Sequence, residues 1–233
     1  MKSSEPLPAF EPKPTLTSEY REVLVAFVVI ALAVAITAHL LPGPIQQYAY
    51  SIVLAAMVYL PVMRGDRRRR PLEQYGITFK GWKSAVLIAL LCMAIVFPIF
   101  IFGNHIWKAW IFGKSFSFAL PEKALLAIWF EQTILIALPE EFFYRGWMQS
   151  VMLRRWTAKR KILGAGFGIA IVFTSLLFAI GHLAAIPSPF RLAVFFPSLL
   201  FGWLRVRTGS LIAPILVHGA SNLLMSVLVA SYH

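Results

Sequence analysis

The sequence predicts an all-α fold, a polytopic transmembrane helix bundle of about seven spans, with six to eight as the range. Three observations predict it. Of the 233 residues, 59% are hydrophobic and only 14% charged, against roughly 25% charged in a soluble domain. The apolar residues are gathered into runs, most of which reach the roughly 17–25 residues that a helix needs to cross a bilayer. Short pieces rich in Arg and Lys separate some of these runs, as in loops that face anionic lipid on the cytoplasmic side.

In chain order, residues 1–21 read as a polar, Pro-containing N-terminal tail without the features of a cleaved signal peptide. The expected spans are Glu22–Leu41, Ile45–Met63, Trp82–Gly103, Lys123–Val151, Ile162–Leu183, Arg191–Val206 and Ser210–Ala230. Leu41-Pro42-Gly43-Pro44 breaks the helix on both sides and makes the first two spans a hairpin. Asn104–Glu122 is the longest loop between spans, and its Trp107, Trp110 and several Phe suit the lipid interface. Pro187-Ser188-Pro189 is another short turn. Residues 22–122 then form the N-terminal helices with their interfacial loop, and 123–233 a second helical core.

The formal net charge of +12 does not indicate a nucleic-acid partner, because its dense clusters lie between apolar runs. They are Arg64, Arg67, Arg68, Arg69 and Arg70, then Arg154, Arg155, Lys159, Arg160 and Lys161, with Arg205 and Arg207 further on. Alternation of the spans puts all three groups on one side, which gives a cytoplasmic N-terminus and an outer C-terminus. Cys92 is the sole cysteine, so neither an intrachain disulfide nor a multi-cysteine zinc site can form.

Charged side chains inside a membrane span are costly and mark function or pairing. The fourth span carries Glu131 and then Leu138-Pro139-Glu140-Glu141-Phe142-Phe143-Tyr144-Arg145-Gly146. Adjacent carboxylates point about 100° apart on a helix, so Glu140 and Glu141 have different surroundings. Glu141 and Arg145, at i and i+4, can neutralise each other and leave Glu140 free for chemistry. The fifth span ends at His182, and the seventh carries His218-Gly219-Ala220-Ser221-Asn222, with His218 and Asn222 on one face. Each group alone has a plain structural reading: a helix-end salt bridge, an interfacial histidine, a polar pair joining two helices. A single polar cavity accounts for all three, and the residue types are those of proton transfer, oxyanion stabilisation or metal ligation.

Glu140-Glu141-x-x-x-Arg145, Phe178-x-x-x-His182 and His218-x-x-x-Asn222, in that order on separate helices, resemble the CPBP family. That family includes CAAX prenyl proteases, bacteriocin-processing homologues and "abortive infection" proteins. The resemblance runs from Ile128 to Met225 and takes in Phe201-Gly202-Trp203-Leu204 and Thr208-Gly209-Ser210-Leu211. It implies hydrolysis of a peptide bond within the bilayer. Glu140 would be the general base that activates water, His182 would help to hold that water, and His218 with Asn222 would form the oxyanion hole. Glu141 and Arg145 would support the site and Phe178 would shape its wall. No cofactor is implied; a zinc ion on Glu140, His182 and His218 is the alternative. Other intramembrane proteases fit less well. There is no His-Glu-x-x-His motif, and Gly113-Lys114-Ser115-Phe116 and Arg64-Gly65-Asp66 are incomplete loop matches to serine and aspartyl motifs.

The expected partners are membrane lipids and a membrane-anchored or lipidated protein or peptide substrate, cut near a C-terminal lipidated or sorting segment. The simple N-terminus points to a prokaryotic member in the bacterial inner membrane. The competing reading is a non-proteolytic transporter or scaffold with a buried polar cluster. Depth raises one difficulty. At about 1.5 Å per residue, Glu140 and His182 lie roughly 20–30 Å from the cytoplasmic ends of their spans and His218 only about 10 Å. Helix tilt, or a last helix that starts below the surface after Gly209, would bring them level.

Overall fold

A computed structural model describes residues 16–67, 70–158 and 160–233. Arg68, Arg69 and Lys159 of the basic clusters, and residues 1–15 of the expected tail, lie outside the described residues.

The first helix, α1 (Leu16–Leu40), begins within the stretch expected to be tail. Helix can start there because the acidic residue of its first turn is compensated. Glu19 is 1% exposed and accepts hydrogen bonds from Arg70 (3.0 Å) and Arg154 (2.8 Å). Tyr20 stacks edge-on against Trp156. Proline ends the helix at its far side, and α2 (Gly43–Arg67) returns antiparallel. The Gln46 side-chain amide closes the turn by donating to the carbonyls of Thr37 and Ala38, two of the helix-end acceptors that would otherwise lack partners.

After α2, a short 3-10 turn (Leu72–Tyr75) ends at Gly76, whose φ of 85° lies in the left-handed region. Glycine is required here twice over, because a Cβ would also stand 2.5 Å from the Arg205 guanidinium. Helix α3 (Trp82–His105) continues into a π-helical turn, Ile106–Ile111. Its Ala85 and Ala89 are buried against Leu204, Ala213 and Val217 of the last two helices.

The fourth apolar segment is helical throughout, yet it is not one α-helix. It runs as α4 (Leu125–Phe130), a π-helical segment Glu131–Ala137, α5 (Leu138–Glu141), a second π-helical segment Phe142–Met148, and α6 (Gln149–Arg155). Residues 141–152 are all buried, as expected of a helix that is enclosed on every side.

The fifth span starts later than expected. Residues Arg160–Ile162 and Ala165–Phe167 pair as a small antiparallel hairpin, β1–β2, so the fold is all-α except for this ribbon. Leu163 and Gly164 turn it with φ of 47° and 80°. Gly164, Gly166 and Gly168 make continued helix expensive. Helix α7 (Ile169–Ala185) follows, then a 3-10 turn (Pro189–Val194), α8 (Phe195–Thr208) and α9 (Ile212–Ser231).

Five of the seven expected spans are helical segments long and apolar enough to cross a membrane. The fourth is the interrupted α/π segment, and α7 is shorter at 17 residues. The sides of α1, α2 and α3 that leave the bundle carry exposed Leu32, Ile52, Leu87 and Ile95, an apolar surface suited to lipid rather than to water.

Candidate active site

The site is built where the α5 turn lies between the two π-helical segments. Pro139 has no N–H to donate, so an unbroken i→i−4 ladder cannot run through it. The backbone passes this point by widening. Leu138 N–H reaches Thr133 O, and further on Gln149 N–H reaches Tyr144 O, both one residue beyond the α-helical partner. Single π turns inside helices are frequent at functional sites, and these two bracket Glu140 and Glu141.

The two carboxylates have different surroundings. Glu141 is fully buried, and its Oε1 accepts from Arg145 Nη1 at 2.8 Å and stands 2.8 Å from His218 Nδ1. Arg145, 1% exposed, uses its other end on Ser198, donating from Nη2 to the side-chain oxygen at 2.6 Å and to the carbonyl at 3.3 Å. Its guanidinium also lies over the rings of Phe178 (4.3 Å) and Phe201 (5.3 Å), where ring quadrupoles favour a cation. A buried ion pair persists only when its remaining hydrogen-bonding capacity is filled; Ser198 and the aromatic rings do that for Arg145.

Glu140 is left with no neutralising arginine. Its Oε2 is buried without a hydrogen-bond partner and lies 3.8 Å from His218 Nε2. The His218 ring thus has one nitrogen on Glu141 and the other facing Glu140. It is held by parallel stacking on Phe201 at 4.9 Å and by the edge of Phe178 at 5.9 Å.

His182 is one ring away. Its Nδ1 is 3.0 Å from the Phe178 carbonyl, and its ring centroid is 4.3 Å from that of Phe178. It makes no ion pair with Glu140 among the described residues. Asn222 lies one turn beyond His218 on α9 and is half-buried. The structure therefore gathers Glu140, Glu141, Arg145, Phe178 and His218 into direct contact, with His182 and Asn222 at its margin. Glu131, at the start of the first π segment, is instead paired with Lys123. Among the described residues no three His, Cys, Asp or Glu side chains are grouped as a metal ion would require.

The depth mismatch is removed by where α9 begins. Gly209, with φ of 69°, ends α8, and Leu211 N–H donates to Gly76 O at 2.9 Å. A Cβ on Gly146 would meet both Tyr75 O (3.0 Å) and the Leu211 side chain (3.2 Å), so Leu211 lies level with Gly146. From that level, His218 and Glu141 are each roughly 8–10 Å further along their helices at 1.5 Å per residue. The last helix starts inside the bundle, well beyond the level of Arg154 and Arg155.

Three neighbours were given no role by the sequence, although Phe201 lies in the Phe201-Gly202-Trp203-Leu204 stretch of the resemblance. Ser198 and Phe201 lie on α8 and complete the surroundings of Arg145 and His218. Thr133, in the first π segment, is 3% exposed, and its Oγ1 has no partner. A Cβ at Gly219 would stand 2.2 Å from that oxygen and 2.9 Å from Thr133 Cα. The run of small residues after His218 was the available clue, since such runs let helices approach closely.

Fold and site define an integral membrane protein with a buried Glu-Glu-Arg-His cluster formed between the fourth segment and α9 and walled by α7 and α8. Residues 122–224 match the family model described as Type II CAAX prenyl endopeptidase Rce1-like. Over this segment the chain is similar to the CAAX protease-like family of intramembrane endopeptidases. No curated protein and no solved structure matches it.

Proposed function

We propose that the protein is a glutamate-dependent intramembrane endopeptidase in which Glu140 is the general base. One observation carries this reading: Glu140 and Glu141 each keep a buried oxygen without a hydrogen-bond partner, but only Glu140 lacks an arginine, and its Oε2 faces His218 Nε2. A buried acceptor of that kind calls for a donor, and a substrate water would supply one. The water gives its proton to Glu140 while its oxygen bonds to the scissile carbonyl carbon. The carbonyl oxygen becomes the oxyanion, and collapse breaks the C–N bond as Glu140 returns the proton to the leaving nitrogen.

His218 and Asn222, side by side on α9, would donate to the oxyanion. With Nδ1 donating to Glu141, the ring can also donate from Nε2 only when it carries both protons, so oxyanion binding calls for the imidazolium. Glu141 and Arg145 then orient His218 rather than react. His182, pinned through Nδ1 to its own helix, would turn Nε2 towards the water. The substrate class that fits the family is a membrane-associated protein or peptide cut near a C-terminal lipidated or sorting segment. We place the protein in a bacterial inner membrane with its N-terminus cytoplasmic. Arg70 and Arg154 meet on Glu19, and Arg205 donates to Gln74 O; all three basic groups therefore reach one end of the bundle.

The test is cleavage of membrane-protein termini by the native chain compared with Glu140→Ala and His218→Ala. A native chain that cleaves nothing the variants fail to cleave would leave the transporter or scaffold reading standing. Exhaustive chelation separates the two protease mechanisms: full activity is expected for the glutamate mechanism, and activity restored only by zinc would establish metal dependence, with Glu140, His182 and His218 as the candidate ligands.

A further inference from the structure

We propose that the crevice between α1 and α2 is a binding site for an anionic phospholipid. The phosphate would lie between Arg21 and Arg64, and one acyl chain would lie against Val25, Val29 and Leu60. These residues and Trp147 line a cavity of about 330 Å³, the lower end of the size range of small-molecule sites. The crevice follows from the hairpin's construction. Gln46 ties α1 to α2 at the Pro42 turn, whereas at the opposite end the two helices leave this space over the central helix.

The mouth and the wall have complementary chemistry. Arg21 is exposed and has no ion-pair partner among the described residues. Arg64 is 3.9 Å from Glu22, at the limit of an ion pair. Two guanidinium groups against one carboxylate leave a net positive mouth on an apolar slot, and basic pockets between spanning helices are suited to anionic headgroups. In the wall, Trp147 is 1% exposed and its indole Nε1–H has no acceptor. The indole of Trp203, by contrast, donates to Ile162 O at 2.8 Å. An unpaired buried donor is costly, and the ester or phosphate oxygens of a lipid are acceptors of the required kind. The chain spans the membrane, so such lipids are its immediate solvent on these helices. The site is independent of the catalytic reading and is tested without an activity assay.

The experiment is native mass spectrometry of the full chain released from detergent, after titration with phosphatidylglycerol, phosphatidylcholine or inorganic phosphate. One phosphatidylglycerol is expected to remain bound under activation that removes phosphatidylcholine, and inorganic phosphate is expected not to compete. Arg21→Gln and Arg64→Gln should each weaken retention by about fivefold, and Val29→Trp, which fills the slot from an exposed position, should abolish it. Melting temperatures in the same detergent show which variants are folded. If Arg64→Gln unfolds through its contact with Glu22, the Arg21 and Val29 variants decide. Equal retention of the two lipids, retention unchanged in the folded variants, or displacement by inorganic phosphate would each overturn the proposal.

Discussion

At the scale of single residues, the chemistry depends on an asymmetry between neighbours. Glu141 is neutralised by Arg145, whereas Glu140 has only the His218 ring nitrogen 3.8 Å away. The two substitutions should therefore separate function from stability. Glu140→Gln keeps the volume and removes the base. Cleavage should fall by at least about a hundredfold, in line with the roughly 10²–10⁴ attributed to general-base catalysis, with an unchanged melting temperature. Glu141→Gln leaves the Arg145 cation buried and uncompensated between Phe178 and Phe201. Breaking a buried pair from one side costs about 3–5 kcal/mol, so this variant should melt far below the native chain in detergent. Equal melting temperatures for the two variants would contradict the division of roles. Part of this was legible in the sequence: the i, i+4 spacing of Glu141 and Arg145 is enough to indicate a pair. The partnership of Arg145 with Ser198 was not, because 53 residues of chain separate them and serine is too common a residue to mark such a contact.

At the scale of elements, helices approach where side chains are absent. Gly219 lets α9 lie directly on the Thr133 backbone of the first π segment, and His218 is the adjacent residue. Gly219→Ala would place a methyl 2.2 Å from Thr133 Oγ1 and 2.9 Å from its Cα. Overpacking of this kind costs about 1–3 kcal/mol or more and would also tilt His218 away from Glu140. Lower stability and lower kcat are both expected. Adding Thr133→Ala should recover only part of the loss, since the contact with Cα remains; complete recovery would mean that the hydroxyl alone sets the helix spacing. The apolar runs marked the existence of nearly every element, because periodicity and length are local properties. The α/π alternation around Pro139 was not legible, nor was the hairpin at 160–167, where turn geometry at Leu163 and Gly164 outweighs the apolar character of Ile162.

For the whole molecule, orientation can be checked directly. With Cys92 replaced by Ala, single cysteines at Lys161 and at Lys114 should react with a membrane-impermeant maleimide from opposite sides. Lys161 is expected to label only in inverted vesicles and Lys114 in intact cells. Labelling of both from the same side would break the alternation on which the orientation rests. This experiment also locates the mouth of the α1–α2 crevice, since Arg64 is on α2 just before the first basic loop.

By itself, the sequence determined that this is a membrane-spanning helical protein, and it nominated six polar positions and Phe178 from which a site could be made. Those conclusions need only local quantities: hydropathy over about 20 residues, and helical spacing within one turn. Only the tertiary structure decided which of these positions meet. Counting along the chain put His218 at the wrong depth, because the level at which α9 starts is set by contacts between distant segments: Leu211 with Gly76, and Gly146 with Tyr75 and Leu211. A helix fixes where its residues stand relative to one another; packing alone fixes where the helix stands, and here it brings His218 against both glutamates.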